Sequence, residues 1–437
     1  MCCRKNLLVL VSTCFLAFIP ACAGWFAHEG RNAGECSDEA DNDGDGLFDC
    51  DDPDCTGSAA CDEVDTAEPA GTDNLPIAAG IQMDAIYLYQ GIEVHWMQDG
   101  ALVEDAPVSM VGGRDMLIRV FVSPIGGWVS RTLVLRVQLV QNGHEVDSFR
   151  TSASVTGTSW PEELESSMNI TIPGDALNVG TAMRVELLEE SEAASFGGDE
   201  GRVVFPAEEP QSLGLNTPGP TLSVVLVPIR YEADGSGRLP DTSDAAIERY
   251  RRHLYARFPV ATVELTVGDE FVWDQSVSAS GAGWSTLLSA VGEQRALLGA
   301  GDNTYIYGLF EPAESLNTFC SGGCVPGLAN LVSSAYDVWS RAAIGLAWDE
   351  VAPDVMSHQL GHNHGLSNVD AGCGSGGGAS DYPHAGGHIG ERGYDFVEQE
   401  LLEPDTHFDF MSYCSPAWVS DYTFERLLDR AVDVDEL

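Results

Sequence analysis

The chain is almost without lysine. Lys5 is the only one, and 21 basic side chains stand against 68 acidic ones, a formal charge of -47 over 437 residues. A field of that sign repels nucleic acid and anionic membrane surfaces, which excludes nucleic acid as a partner and favours solubility and cation binding. Most of these carboxylates read as a solvated exterior. After the first two dozen residues there is no apolar run long enough to cross a bilayer, so membrane contact is expected only through a lipid. Residues 76–206 lack any catalytic constellation and are expected to be accessory. What the chain does have is 44% hydrophobic residues and nine tryptophans, enough for well-buried cores. Its length predicts two or three domains.

The opening MCCRKNLLVLVSTCFLAFIPAC has a basic start, Arg4 and Lys5, and an apolar stretch from Leu7 to Ile19 that is short for a span. Residues 1–22 read as an export signal. Ile19-Pro20-Ala21-Cys22 resembles the bacterial lipoprotein box, which would place a lipid on Cys22. Ala21-Cys22-Ala23 also fits ordinary cleavage after Ala23. Either way the chain is expected outside the cytoplasm, as a cell-envelope lipoprotein or a secreted protein. Export favours disulfides among the cysteines that follow Cys22. Cys36, Cys50, Cys55 and Cys61 form one cluster, and Cys320, Cys324, Cys373 and Cys414 another. Cys320 and Cys324 bracket a short loop, which leaves Cys373 for Cys414, although spacing alone does not fix the connectivity.

Residues 23–75 combine an acidic cysteine-rich module with a tether. Within CSDEADNDGDGLFDCDDPDC, residues 36–55, Asp41, Asp43, Asp45, Leu47, Asp49 and Asp52 fall on the spacing of a twelve-residue calcium loop, with Gly46 at the sharp turn. Asp52 stands where a longer Glu normally binds through both oxygens. Calcium binding is the expectation, and a disordered acidic spacer the alternative. Between 76 and 207, segments such as DMLIRVFVSP and TLVLRVQLVQNG carry β-branched and alternating residues punctuated by Gly, Pro and Asn-Gly, predicting a β-sandwich. EEPQSLGLNTPGP, 208–220, reads as a linker. From 220 to 437 strand-like and helix-like stretches alternate, predicting an α/β domain.

MSHQLGHNHGLSNVDAGC, 356–373, carries the chemistry. In a helix from Pro353 to His364, His358 and His362 lie one turn apart, so both imidazoles can reach one ion. Gly365 can turn the chain and bring residue 368 back towards it. His364 points away. Further on comes AGGHIG, 385–390, and then HFDFMSYC, 407–414.

Taken in order, these motifs resemble the metzincin zinc peptidases, especially secreted bacterial members, over roughly 220–437. The resemblance implies a mixed sheet, an active-site helix and a Met-turn at Met411 forming an apolar floor beneath zinc. It makes Tyr413 a contact for zinc or for an oxyanion, with a buried aromatic beside a disulfide as the alternative. The family pattern is H-E-x-x-H-x-x-G-x-x-H, and this chain departs from it twice. Gln359 stands where the family has its proton-accepting glutamate, and an amide cannot take that proton near neutral pH. Asn368 stands at the third ligand, where an amide oxygen is a poor substitute for imidazole. Asp370, His384, His388 or Tyr413 could compensate, Asp370 being the nearest in sequence. The expectation is therefore a zinc-peptidase-like protein with catalysis lost or strongly reduced, binding extracellular polypeptide or glycoprotein. The alternatives are an active secreted endopeptidase with substitute groups and a calcium-organised surface adhesin.

Overall fold

Period-two alternation builds the first half. Ile81–Tyr89 (β1), Glu93–Gln98 (β2), Met116–Pro124 (β3), Arg131–Gln141 (β4), His144–Val155 (β5), Met168–Ile172 (β6) and Ala182–Glu189 (β7) form two antiparallel sheets. One sheet runs β2-β1-β3-β6 with the short strand Ala101–Leu102 beside β2, and the other runs β7-β4-β5 with two short strands, Val204–Phe205 and Gln211–Ser212, both paired to β7. Leu133, Leu135, Val137 and Leu139 of β4 alternate with polar residues and join one core with Met183, Val185 and Leu187 of β7. Strand β1 supplies Ile81 and Met83 to that core. A register shift between Met83 and Ala85 then changes the phase, so that Ile86 and Leu88 follow them inward. Its opposite face, with Ala85, Tyr87 and Tyr89, is also buried.

The structure is a computed structural model and describes residues 75–437 except 193, 216 and 375–377. The expected lipid site at Cys22, the calcium loop from Asp41 to Asp52 and the cysteines from Cys36 to Cys61 lie outside the described residues.

The second half alternates as its sequence pattern predicts. Thr221–Tyr231 (β8), Asp244–Arg257 (α1), Thr262–Val267 (β9), Trp284–Leu298 (α2), Thr304–Phe310 (β10), Gly327–Ala329 (β11), Ala342–Leu346 (β12) and Ala352–Asn363 (α3) follow one another. The sheet order is β9-β8-β10-β12-β11, with Phe271–Trp273 also paired to β8. Strands β8, β9, β10 and β12 are parallel and β11 is an antiparallel edge. Strand β8 reads as a continuous apolar run because helices cover both of its faces. Leu222, Val224 and Leu226 pack with Tyr250 and Leu254 of α1 and Met356 and Leu360 of α3, whereas Val227 and Ile229 pack with Leu287 and Val291 of α2. The hairpin of Gly393–Asp395 (β13) and Glu400–Leu402 (β14) and the final helix Asp421–Asp435 (α4) complete a mixed α/β, multi-sheet protein. Among the described residues no helix is long and apolar enough to cross a membrane.

The two halves share one hydrophobic core. The segment 208–220 is packed into the body and is not a free linker: Leu213 and Leu215 are buried, Gln211–Ser212 pairs with β7, and Thr217–Pro218 pairs with Val111–Gly112. Arg114 is fully buried and donates to the carbonyls of Gln90, Tyr255, Ala256 and Val260, capping the C-terminal end of α1 from the first half. From the other direction Tyr394 packs on the outer face of β1, and Trp418 Nε1 donates to the Gly91 carbonyl at 2.9 Å.

Candidate metal centre

Helix α3 starts with Pro353 in its first turn, where a missing N–H does no harm, and runs through the expected histidines. Gly365 follows with φ +91°, and a Cβ there would lie 2.9 Å from the Val332 carbonyl, so the turn that returns the chain requires glycine. His358 and His362 fall on one side, their ring centroids 4.8 Å apart and their planes perpendicular. His358 Nδ1 donates to the Phe410 carbonyl at 2.9 Å, and His362 Nδ1 donates to the Leu366 carbonyl at 2.7 Å. A carbonyl can only accept, so the proton of each neutral ring sits on Nδ1 and the lone pair on Nε2. Burial pushes the His358 imidazolium down to about 4, with the neighbouring His362 adding to the effect, and burial lowers His362 as well. Near neutral pH both rings are therefore uncharged and able to ligate.

The loop after Gly365 brings Asn368 back. Its amide lies within interacting reach of both imidazoles. Asn368 Nδ2 donates to the Tyr413 hydroxyl at 3.1 Å, which turns Oδ1 the other way. Oδ1 of Asn368 and Nε2 of His358 are buried and have no hydrogen-bond partner. Acceptor atoms facing one another without a donor between them suit a cation. The two imidazoles could hold a metal ion, with the Asn368 side chain beside them.

Met411 is fully buried against α3 at Gly361, where a Cβ would come within 2.3 Å of its sulfur. Tyr413 stacks on His358, centroids 5.3 Å apart, and is half exposed; it is not the buried aromatic that was the alternative. Gln359 is buried with its side chain against Gly327 of the edge strand β11, where a Cβ would approach Gln359 Nε2 to 2.9 Å. Two disulfides join Cys320 to Cys324 and Cys373 to Cys414. The second ties the loop beyond Asn368 to the residue following Tyr413.

Other expected substitutes are not brought in. Asp370 is exposed, and its carboxylate accepts from the Gly372 N–H at 3.2 Å. His384 pairs with Asp421 at 2.5 Å, and His388 is held by the His407 carbonyl and stacks on Phe408. Among the described residues no three His, Cys, Asp or Glu side chains converge. Asp370 is therefore corrected as a ligand: its position two residues past Asn368 puts it beyond the turn, where a local backbone N–H claims it. His364, excluded from the pattern of the helix, is buried against Tyr305 and Phe258.

Sequence reasoning missed Asp409. It is fully buried, and accepts from Met411 N at 2.8 Å, from Ser420 N at 3.2 Å and from the Ser420 hydroxyl. Ser420 in turn caps α4 by accepting from Thr423 N at 3.1 Å. Asp409 thereby fixes the turn whose Phe410 carbonyl orients His358. The Ser-Asp start of α4 was readable as a cap, but nothing local marks Asp409 as its partner. Neither a family model nor a curated protein matches the chain.

Proposed function

We propose that the chain is an exported metallopeptidase-like protein of the metzincin type, with a β-sandwich ahead of it, that binds extracellular polypeptide or glycoprotein with little or no cleavage. The observation that carries this reading is the buried amide of Gln359, one residue after the first ligand-competent histidine and facing the edge strand. A peptidase needs a proton acceptor at this point, to take a proton from the attacking water and pass it to the leaving amine. Gln359 has the shape of the glutamate without its basicity. Zinc, when bound at His358 and His362, would supply Lewis acidity. The remaining capacity of the site is to bind. Strand β11 ends the sheet order among the described residues, and an extended polypeptide can add to such an edge through main-chain hydrogen bonds. The acidic loop from Asp41 to Asp52 is proposed to bind calcium, and Cys22 to carry a lipid.

The test is proteolysis of an unfolded protein substrate by the wild type, Gln359→Glu and the Gln359→Glu/Asn368→His double variant, with zinc content measured alongside. The wild type should stay near background. The double variant should gain roughly 10²–10⁴-fold, the usual worth of a placed general base. Chelator-sensitive cleavage by the wild type, abolished in His362→Ala, would overturn the proposal in favour of an active endopeptidase.

A further inference from the structure

We propose that Asn368 binds a divalent transition-metal ion as the third protein ligand through Oδ1, and that the Tyr413 hydroxyl selects which end of the amide faces the ion. The inference rests on the metal-site reading above and goes beyond it, since an asparagine in this place could equally be a relic that contributes nothing.

A side-chain amide has one end that only donates and one that only accepts. Here Nδ2 is committed to Tyr413 at 3.1 Å, and Oδ1 is left buried without a donor. The histidine Nδ1 atoms are committed to the Phe410 and Leu366 carbonyls, so each imidazole also presents a lone pair. An unpaired buried acceptor costs about 1–3 kcal/mol. Turning the amide over would remove the difficulty, because Nδ2 could then donate to the imidazoles while Oδ1 accepted the Tyr413 proton. The orientation present is the one a cation needs.

The backbone leaves Asn368 little freedom to swing away. Its carbonyl accepts from Ala379 N at 2.7 Å, and the next residue, Val369, donates from N to the Met411 carbonyl at 2.9 Å. The amide is thus held over the histidine helix before any ion arrives, which is how a supporting shell maintains a metal site. With all three donors neutral, nothing in the first layer offsets the ion's charge. A carboxylate at 368 would add attraction, whereas removal of the side chain leaves two imidazoles only.

Cobalt(II) titration of the full-length protein, followed by visible absorption and repeated with zinc in competition, separates the roles. The wild type should bind one equivalent. Asn368→Asp should bind at least as tightly, with an altered spectrum. Tyr413→Phe should weaken binding roughly 10–100-fold, the range for a ligand-orienting partner. Asn368→Ala should weaken it more and change the spectrum, and metal-free thermal unfolding of each variant shows whether it is folded. An Asn368→Ala protein that binds as the wild type does, with an unchanged spectrum, would overturn the ligand assignment while leaving the two-histidine site standing. A Tyr413→Phe protein of wild-type affinity would overturn the selector role. No cobalt or zinc uptake by the wild type would bring down the metal-site reading itself.

Discussion

His364 should make the protein lose stability on acidification in a way that one substitution removes. The ring is buried in the core, stacked on Tyr305 at 4.7 Å between centroids, with Nδ1 on the Leu360 carbonyl and Nε2 without a partner. Burial is the main reason its imidazolium is pushed down to about 4; Arg430 and Arg341 act in the same direction, and the Leu360 carbonyl opposes them. In the unfolded chain the same ring titrates near 6.5. Above pH 6.5 both states are neutral and the ring has no pH-linked effect. As pH falls through 6.5 the unfolded chain takes up a proton that the folded chain refuses, so stability drops, and the loss is complete once pH is below about 4. Its full size is about 3 kcal/mol, from 1.36 kcal/mol per pH unit over that window. His364→Phe keeps a flat ring for Tyr305, and the Leu360 carbonyl still accepts from the backbone N of residue 364 at 2.9 Å. Denaturant unfolding of both proteins at steps from pH 7 to pH 4 gives the difference in stability, in which the contributions of His358 and of the acidic surface cancel. That difference should move by about 3 kcal/mol in favour of the variant. Parallel curves across the range would refute the reasoning.

Three other substitutions probe the supports of the site. Asp409→Asn turns a donor towards Met411 N or Ser420 and should cost about 1–3 kcal/mol for each buried N–H or O–H left unpaired; thermal unfolding reads the cost, and zinc content shows whether the Phe410 carbonyl still orients His358. Replacing Cys373 and Cys414 together by serine opens a loop spanning 41 positions and should remove about 4 kcal/mol by the loop-entropy relation, measured by chemical denaturation. Arg114→Met strips donors from carbonyls in both halves of the chain and should cost about 1–3 kcal/mol per carbonyl that finds no other partner. Its unfolding should remain one transition, and two separated transitions would contradict a shared core.

The parts of this molecule that were legible in the sequence are those coded locally. Pro353, the four-residue histidine spacing and Gly365 define helix α3 and the turn after it, because each acts through its own backbone or through a neighbour on the same face. The β-rich first half and the strand-helix alternation of the second followed from periodicity. The segment 208–220 misled for a physical reason: Gly, Pro and Asn make its composition that of a tether, and only Leu213 and Leu215 hold it in the core. Asp370 stands two residues past the third-ligand position, and where its carboxylate points depends on the Gly372 N–H beyond the turn, which spacing does not encode. Arg114 and Asp409 could not be read at all, since their partners stand far away in sequence or across a turn, and a buried charged residue carries no local pattern.

The bond from Trp418 to Gly91 spans 327 residues. A ribosome or a translocation channel that has delivered only the first two hundred residues has delivered a sheet with one face still bare, because Tyr394 and its hairpin have yet to emerge. Native pairing over such distances closes late and slowly. Assembly must wait for nearly the whole polypeptide, which poorly suits a chain that is cut short. Truncation before residue 418 should give an insoluble product, whichever half it spares.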